Sequence, residues 1–181
     1  FERISSETGT PMLHVTHALD EAARLADHLV LLDGGHVVDS GPLADILASP
    51  KAGSAGGDDA GCVVFARVAE IDRTDHLARL EFDGGQLLVP DPGLGIGDHT
   101  RVRIHARDVS LALEPATGSS ILNILPATVI DLLEEGPARV LVRLGVGPTV
   151  FAASVTHRSA RALDLAPGRD LFAQVKSVAL L

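Results

Sequence analysis

An internal repeat is the feature that most constrains the fold of this chain. Residues 95–106 parallel residues 165–175, and residues 65–68 parallel residues 125–129. Each copy is about 60 residues long and has room for about five short strands. A unit of that size buries too little apolar surface to be stable alone. We therefore expect each copy to pack against its twin or against another chain.

Apolar and polar side chains alternate within both copies, which is the period of a half-buried β-strand. The alternation covers residues 63–68, 77–81, 86–88 and 101–105 in the first copy, and residues 126–133, 138–144, 149–155 and 171–179 in the second. Turn sequences such as Asp83-Gly84-Gly85 separate these segments. The pattern predicts a mainly β fold made of two small OB-like β-barrels in tandem.

The first fifty residues have a different, mixed α/β pattern. Residues 11–15 are apolar and predict a buried strand, and a helix capped by Thr16 is predicted from Ala18 to about His28. A strand, a glycine turn at residues 33–35 and a second strand predict a hairpin. A short helix is then predicted to open at Pro42, since proline is favoured in the first turn of a helix.

A linker rich in glycine and small polar residues separates these two patterns. It covers residues 50–61 and contains no apolar periodicity. We therefore expect residues 1–49 to form one unit, residues 62–114 the first β-repeat and residues 119–181 the second.

Composition excludes several classes of function. The net charge is −9, and residues 1–60 carry three basic against ten acidic side chains, so a basic nucleic-acid-binding surface is not expected. There is no Trp or Tyr to stack bases, and no apolar run reaches the roughly 18 residues that a membrane span requires. Cys62 is the single cysteine and is predicted to be a buried apolar residue. The histidines show no metal-binding spacing, so we predict no metal site.

His17 lies between the predicted strand and the predicted helix, at the edge of an α/β sheet where side chains meet bound phosphates. A lone histidine there is more often structural than catalytic. Its surroundings are more specific, because Thr-His-Ala-Leu-Asp-Glu-Ala and residues 26–42 together resemble the end of an ABC-transporter nucleotide-binding domain. That resemblance implies that His17 is the switch histidine, which contacts the γ-phosphate of ATP and helps to hold the attacking water.

The other motifs of such an ATPase are absent from this sequence. There is no Gly-x-x-x-x-Gly-Lys-Ser/Thr loop to hold phosphates and Mg²⁺, and neither a Walker B nor a signature segment is found. We therefore expect no ATP hydrolysis by these residues alone. ATP and Mg²⁺ would be cofactors of the intact parent subunit, a transport ATPase.

Hydroxyl, amide and ammonium groups recur beside the predicted strand ends of the second repeat. They belong to Ser120, Asn123, Thr156, Lys176 and Ser177. A tetrahedral dianion is bound well by several neutral donors and one ammonium group. Serine and threonine also commonly terminate turns, and the residues alone favour that simpler interpretation.

These segments resemble the Mop domains, molybdate-binding domains appended to the ATPases of molybdate importers. In that family a Ser-x-Arg-Asn stretch, an Ile-Thr segment and a Lys-Ser/Ala segment line oxyanion sites at subunit interfaces, and the five residues above occupy the matching positions. Leu122 stands where the family has arginine, which removes one cationic donor. The first repeat matches less well, although its Arg107 and Ser110 are candidates to complete a site.

The combined resemblance is to the C-terminal part of the ATP-binding subunit of a molybdate ABC importer, with a tandem Mop/TOBE-like tail. It implies a molybdate or tungstate ligand, membrane permease subunits as partners, a homodimer, and a cytoplasmic position at the inner face of the cell membrane. Two alternatives remain open. The tail could be a structural dimerisation module that binds no anion, which Leu122 favours, or the same architecture could serve an importer of sulfate, iron or a sugar.

Overall fold

A computed structural model of the chain describes residues 10–49, 51 and 60–181. Three helices and twelve strands are assigned within these residues. The helices are α1 (Leu19–Leu25), α2 (Leu43–Leu47) and α3 (His157–Ala162), and a 3-10 turn covers Ala106–Asp108. The strands are β1 (His28–Asp33), β2 (His36–Pro42), β3 (Gly61–Asp72), β4 (Leu77–Phe82), β5 (Gly85–Pro90), β6 (His99–His105), β7 (Val109–Ala112), β8 (Asn123–Glu135), β9 (Arg139–Val146), β10 (Thr149–Thr156), β11 (Asp170–Val175) and β12 (Ala179–Leu180).

Two five-stranded antiparallel sheets follow the sequence repeat, with one exchange. Sheet 1 has the order β12-β6-β3-β4-β5, and sheet 2 has the order β7-β11-β8-β9-β10. The two orders are equivalent, except that each sheet takes its first strand from the other repeat. Strand β7 pairs with β11 of the second repeat, and β12 pairs with β6 of the first. Both sheets curl into half-barrels, so the mainly β, OB-like prediction is confirmed.

A shared irregularity confirms the repeat at the level of single hydrogen bonds. The pairing of β3 with β4 shifts just after Val68, and the pairing of β8 with β9 shifts just after Val129. Val68 accepts from the Gly97 N–H at 2.8 Å, and Val129 accepts from the Gly168 N–H at the same distance. A β-bulge at equivalent positions bends both strands in the same way.

The two sheets share one hydrophobic core. It contains buried aliphatic side chains from both, including Val64, Leu80 and Ile104 of sheet 1 and Val142 and Leu144 of sheet 2. Phe82 and Phe151 stack across it, with ring centroids 5.9 Å apart. Because the core is continuous, neither repeat is an independent packing unit, as expected for units of this size.

The segment before the predicted linker, most of which lies outside the described residues, packs against sheet 1. Ala22, Ala23, Leu43 and Leu47 form a second apolar cluster with Val63 of β3, and Leu181 packs against the same cluster. The predicted hairpin and the short helix after Pro42 are confirmed as β1–β2 and α2. No helix in residues 10–49 or 60–181 is long and apolar enough to cross a bilayer.

Four local predictions were wrong. Residues 11–15 form no strand, and Leu13 is 96% exposed, because no neighbouring strand in the described residues covers this run. Helix α1 ends at Leu25 rather than near His28, since the chain becomes extended at Ala26 and enters β1. The strand predicted over residues 171–179 is broken after Val175, where the chain crosses from sheet 2 to sheet 1. Strand β8 extends to Glu135 instead of ending near residue 133, and Glu135 accepts a hydrogen bond from Ser154.

Candidate oxyanion site

Most of the predicted oxyanion-binding segments meet at one end of sheet 2. Asn123 begins β8 and pairs with Val175, the last residue of β11, so Lys176 follows directly beside it. The Lys176 N–H donates to the Asp108 carbonyl at 2.9 Å, which also brings the 3-10 turn to this place. Ser120 precedes Asn123 by three residues, and the side chains of Ser120, Lys176 and Ser177 are exposed. The strand pairing thus brings the start of β8 next to the segment that carries Lys176 and Ser177.

Asn123 is the buried member of this group and has a structural partner. Its Nδ2 donates to the Leu88 carbonyl at 2.9 Å, and its Oδ1 accepts from the Leu88 N–H at 2.7 Å. Leu88 lies on β5 of sheet 1, so the amide continues the hydrogen-bonding pattern of that strand. One donor and one acceptor of Asn123 are therefore engaged in joining the two sheets.

Cys62 makes the corresponding contact from the first repeat. Val68 and Val129 are equivalent in the two bulges, and the same offset of 61 residues brings Cys62 onto Asn123. A hydrogen bond joins the Cys62 thiol to the backbone of Ala152 on β10. Burial raises the pKa of the thiol to about 12, against a smaller opposing effect of Arg103 and of that hydrogen bond. The predicted burial of Cys62 is confirmed, whereas its pairing was not visible in the sequence.

Thr156 lies at the opposite end of sheet 2 from Asn123 and Lys176. It pairs with Arg139 at the far end of β9, and Arg139 in turn pairs with Glu135, at the opposite end of β8 from Asn123. The Thr156 hydroxyl caps α3, because it accepts from the Ser159 N–H at 3.0 Å and lies 2.9 Å from the Ser159 hydroxyl. Within one chain, the pairing register therefore separates Thr156 from Asn123 and Lys176.

The 3-10 turn and β7 of the first repeat lie beside Lys176 and β11. Arg107 is exposed on the 3-10 turn, and the Ser110 hydroxyl donates to the Gln174 carbonyl at 3.4 Å. The pKa of His105, which precedes the turn, lies below its usual value because of partial burial and the positive charges of Arg103 and Arg107. Arg107 lies in the turn whose Asp108 carbonyl accepts from the Lys176 N–H, and the strand exchange that brings these segments together could not be predicted from sequence.

His17 is exposed and lies just before α1. The Thr16 hydroxyl accepts from the Ala18 N–H at 3.1 Å and donates to Glu21 at 2.8 Å, so Thr16 forms a turn at the helix start rather than a true cap of its first residue. Leu122, which directly precedes Asn123, is 57% exposed. No cluster of His, Cys, Asp and Glu able to hold a metal ion is found among the described residues.

Comparison with known protein families gives a match to the TOBE domain over residues 119–181. The matched segment includes β8 to β12, so it contributes four strands to sheet 2 and one strand, β12, to sheet 1.

Relatives extend the similarity to nearly the whole chain. The molybdenum import ATP-binding protein ModC of Thiobacillus denitrificans is 50% identical over 181 residues, which are 99% of this chain and 50% of that protein. ModC 1 of Azotobacter vinelandii is also 50% identical over 181 residues, with the same shares, and ModC of Albidiferax ferrireducens is 47% identical over 180 residues, 99% of this chain and 49% of that protein. The chain thus spans about half the length of the curated relatives it matches. The resemblance to the ATP-binding subunit of a molybdate importer is confirmed.

A solved structure supports the fold assignment. The cytoplasmic molybdate-binding protein ModG, in a form with molybdate bound, superposes with a TM-score of 0.55 and covers 65% of this chain and 93% of ModG. At 23% sequence identity this likeness concerns the fold of the paired β-units.

Proposed function

We propose that this chain is the tail-bearing part of the energy-coupling subunit of a molybdate importer, and that its TOBE domain binds the oxyanion as a regulatory ligand. The similarity to ModC proteins over 99% of the chain supports this proposal. The subunit would lie at the cytoplasmic face of the membrane with permease subunits as partners. ATP and Mg²⁺ would bind the remainder of the nucleotide-binding domain, where His17 would act as the switch histidine.

The observation that carries the binding proposal is the pairing of Asn123 with Val175, which brings the start of β8, three residues after Ser120, next to Lys176. An ammonium group and hydroxyl donors suit a tetrahedral dianion such as molybdate or tungstate. Ser177 follows Lys176 and would add a second hydroxyl. Asn123 would serve the site by fixing the start of β8 through Leu88, with its remaining N–H available to an anion oxygen.

Thr156 requires a different arrangement, because it lies at the opposite end of β8 in the same chain. We propose that it reaches the anion from a second copy in a homodimer. Arg107 and Ser110 of the first repeat need no second copy, because the 3-10 turn and β7 already lie beside Lys176 and β11 in the same chain. A site shared between copies would make anion binding and dimer formation mutually dependent.

Isothermal titration with molybdate, tungstate and sulfate tests the proposal. We expect heat with molybdate and tungstate, and a Kd about tenfold or more weaker in Lys176→Ala, because a hydrogen bond to a charged group contributes about 1.5–3 kcal/mol. Arg73→Ala is the matched control, since it removes the same charge from an exposed turn of the first repeat. Absence of heat with all three anions would refute the binding proposal.

A second candidate function is dimerisation without anion binding. The exposed Leu122 favours it, because an apolar side chain replaces the family's cationic donor at the candidate edge. Sedimentation velocity separates the two functions. A dimer whose dissociation constant is unaffected by molybdate supports the structural tail, whereas a dimer that tightens with molybdate supports the shared site.

A further inference from the structure

Arg101 on β6 holds the end of helix α1. Its guanidinium donates to the carbonyls of Ala23 at 3.4 Å, Arg24 at 3.3 Å and Ala26 at 2.8 Å. It also pairs with the Asp27 carboxylate at 2.8 Å. The last carbonyls of a helix have no partner within the helix and carry partial negative charge, so a cation with several N–H groups satisfies and stabilises them.

Arg103, two residues along the same strand, makes a second connection. Its side chain is fully buried, and its Nε lies 2.8 Å from a carboxylate oxygen of Asp20 in the first turn of α1. A buried arginine requires a charged partner, and removal of that partner is costly. Helix α1 has only seven residues and is too short to persist by its own hydrogen bonds. Its position is therefore held by two kinds of contact, the apolar cluster of Ala22 and Ala23 and the polar contacts of Arg101 and Arg103.

Strand β12 pairs with β6 beside the same two arginines. Ala179 pairs with Arg103, and the Leu181 N–H donates to the Arg101 carbonyl at 3.0 Å. Only Val178 separates this pairing from Lys176 and Ser177. A change in the position of the Lys176 segment therefore acts on β12, on β6 and on the two guanidinium groups that hold α1.

We propose that Arg101 and Arg103 are positioning residues that couple the occupancy of the Lys176–Ser177 segment to helix α1, and so to His17 at its start. The inference rests on the proposed function, because it takes an oxyanion at Lys176 as the input. An anion that fixes residues 176–177 favours the paired form of β12, and α1 is then held more firmly by the arginines. The anion segment and α1 would then both bias the pairing of β12 with β6, which is the physical requirement for coupling.

Hydrogen exchange followed by mass spectrometry, with this chain and sodium molybdate, tests the coupling. We expect saturating molybdate to slow exchange in residues 19–25 by about fivefold or more, the lower end of common coupling energies. Arg101→Ala should abolish this response while isothermal titration still shows molybdate binding. Arg67→Ala is the matched control, because Arg67 pairs with Glu81 on the exposed side of sheet 1 and should leave the response intact.

Two gentler variants keep the test decisive if Arg101→Ala unfolds. Asp27→Asn removes one partner of Arg101 from an exposed position, and Arg101→Lys keeps the charge without the branched donor geometry, so both should weaken the response. Molybdate binding without any change in helix exchange would overturn the coupling, and so would an undiminished response in all three variants. No heat of molybdate binding in the unmodified chain would overturn the proposed function and, with it, the coupling.

Discussion

The side chain of Asn123 pairs with both backbone polar groups of Leu88, 35 residues earlier in the chain. The Cys62 thiol makes the pseudo-symmetric contact with the backbone of Ala152. The two repeats exchange strands and also side-chain contacts, so they form a single packed unit. Asn123, which the sequence predicts as an anion ligand, therefore also joins the two sheets.

Asn123→Ala should lower the free energy of unfolding by about 2 kcal/mol or more, because it leaves the Leu88 N–H and carbonyl without their partner. Urea denaturation measures the change. Ser120→Ala is the comparison, since Ser120 is exposed at the same edge. It should weaken molybdate binding without altering stability, and equal stability losses in the two variants would contradict this division of roles.

Leu122→Arg should strengthen molybdate binding by about tenfold, because it adds a cationic donor next to Asn123 at the proposed site. The exposed Leu122 side chain can be replaced without loss of core packing. Titration calorimetry gives the affinity. Leu122→Gln, which adds length and a neutral donor, should give a smaller gain. An unchanged Kd in Leu122→Arg would place the bound anion elsewhere.

Gly84→Ala should destabilise the chain by about 2 kcal/mol, the usual cost of overpacking. A Cβ at Gly84 would lie 2.2 Å from the Val146 carbonyl oxygen, because the turn before β5 packs against the end of β9. Gly145→Ala is the control, since its Cβ would meet the Thr128 carbonyl at an ordinary 3.8 Å. Thermal unfolding of both variants decides the matter, and a Gly84→Ala melting temperature equal to that of Gly145→Ala would argue against the close approach.

Cys62 should resist thiol reagents until the chain unfolds. With its pKa raised to about 12 by burial, only about one thiol in ten thousand is ionised at pH 8, and the thiolate is the reactive form. Labelling with a disulfide reagent should be slow in buffer and complete in denaturing urea. Fast labelling under native conditions would mean that the contact with the Ala152 backbone opens readily.

Acid should destabilise the chain in part through His105. Its pKa in the folded chain lies below the ordinary value of 6.5, so the unfolded chain binds more protons as the pH falls. The stability that depends on neutral His105 is present above that value and is lost during acidification. His105→Gln should therefore lose less stability than the unmodified chain between about pH 7 and 5. Urea midpoints at several pH values provide the measurement, and identical slopes would refute a contribution from this histidine.

Local patterns made much of this fold predictable. Period-two alternation and glycine turns located most strands of both repeats, and the Asp33-Gly34-Gly35 turn located the first hairpin. The repeat also predicted two equivalent β-units. In contrast, the apolar run at residues 11–15 predicts a buried strand, because apolar runs are usually buried. The run forms a strand only where neighbouring strands pair with it, and the described residues contain none that does.

The site was less predictable, for a physical reason. Residue types indicated Ser120, Lys176 and Ser177, whose exposed side chains agree with a ligand-binding role that remains a proposal. The distance of Thr156 from these residues depends on strand pairing across the sheet, which no local pattern encodes. The contacts of Arg101 with α1 join residues 75 or more positions apart, and charge patterning alone could not select that partner.

The exchange of β7 and β12 also constrains how the chain is made. Sheet 1 has most of its strands once residue 105 has been synthesised, yet its outer strand comes from residues 179–180. During translation sheet 1 cannot be completed until the second repeat has left the ribosome, and the edge of β6 that pairs with β12 stays uncovered until then. An uncovered edge can pair with another chain, so a pause in synthesis between the repeats would favour association of nascent chains over correct closure.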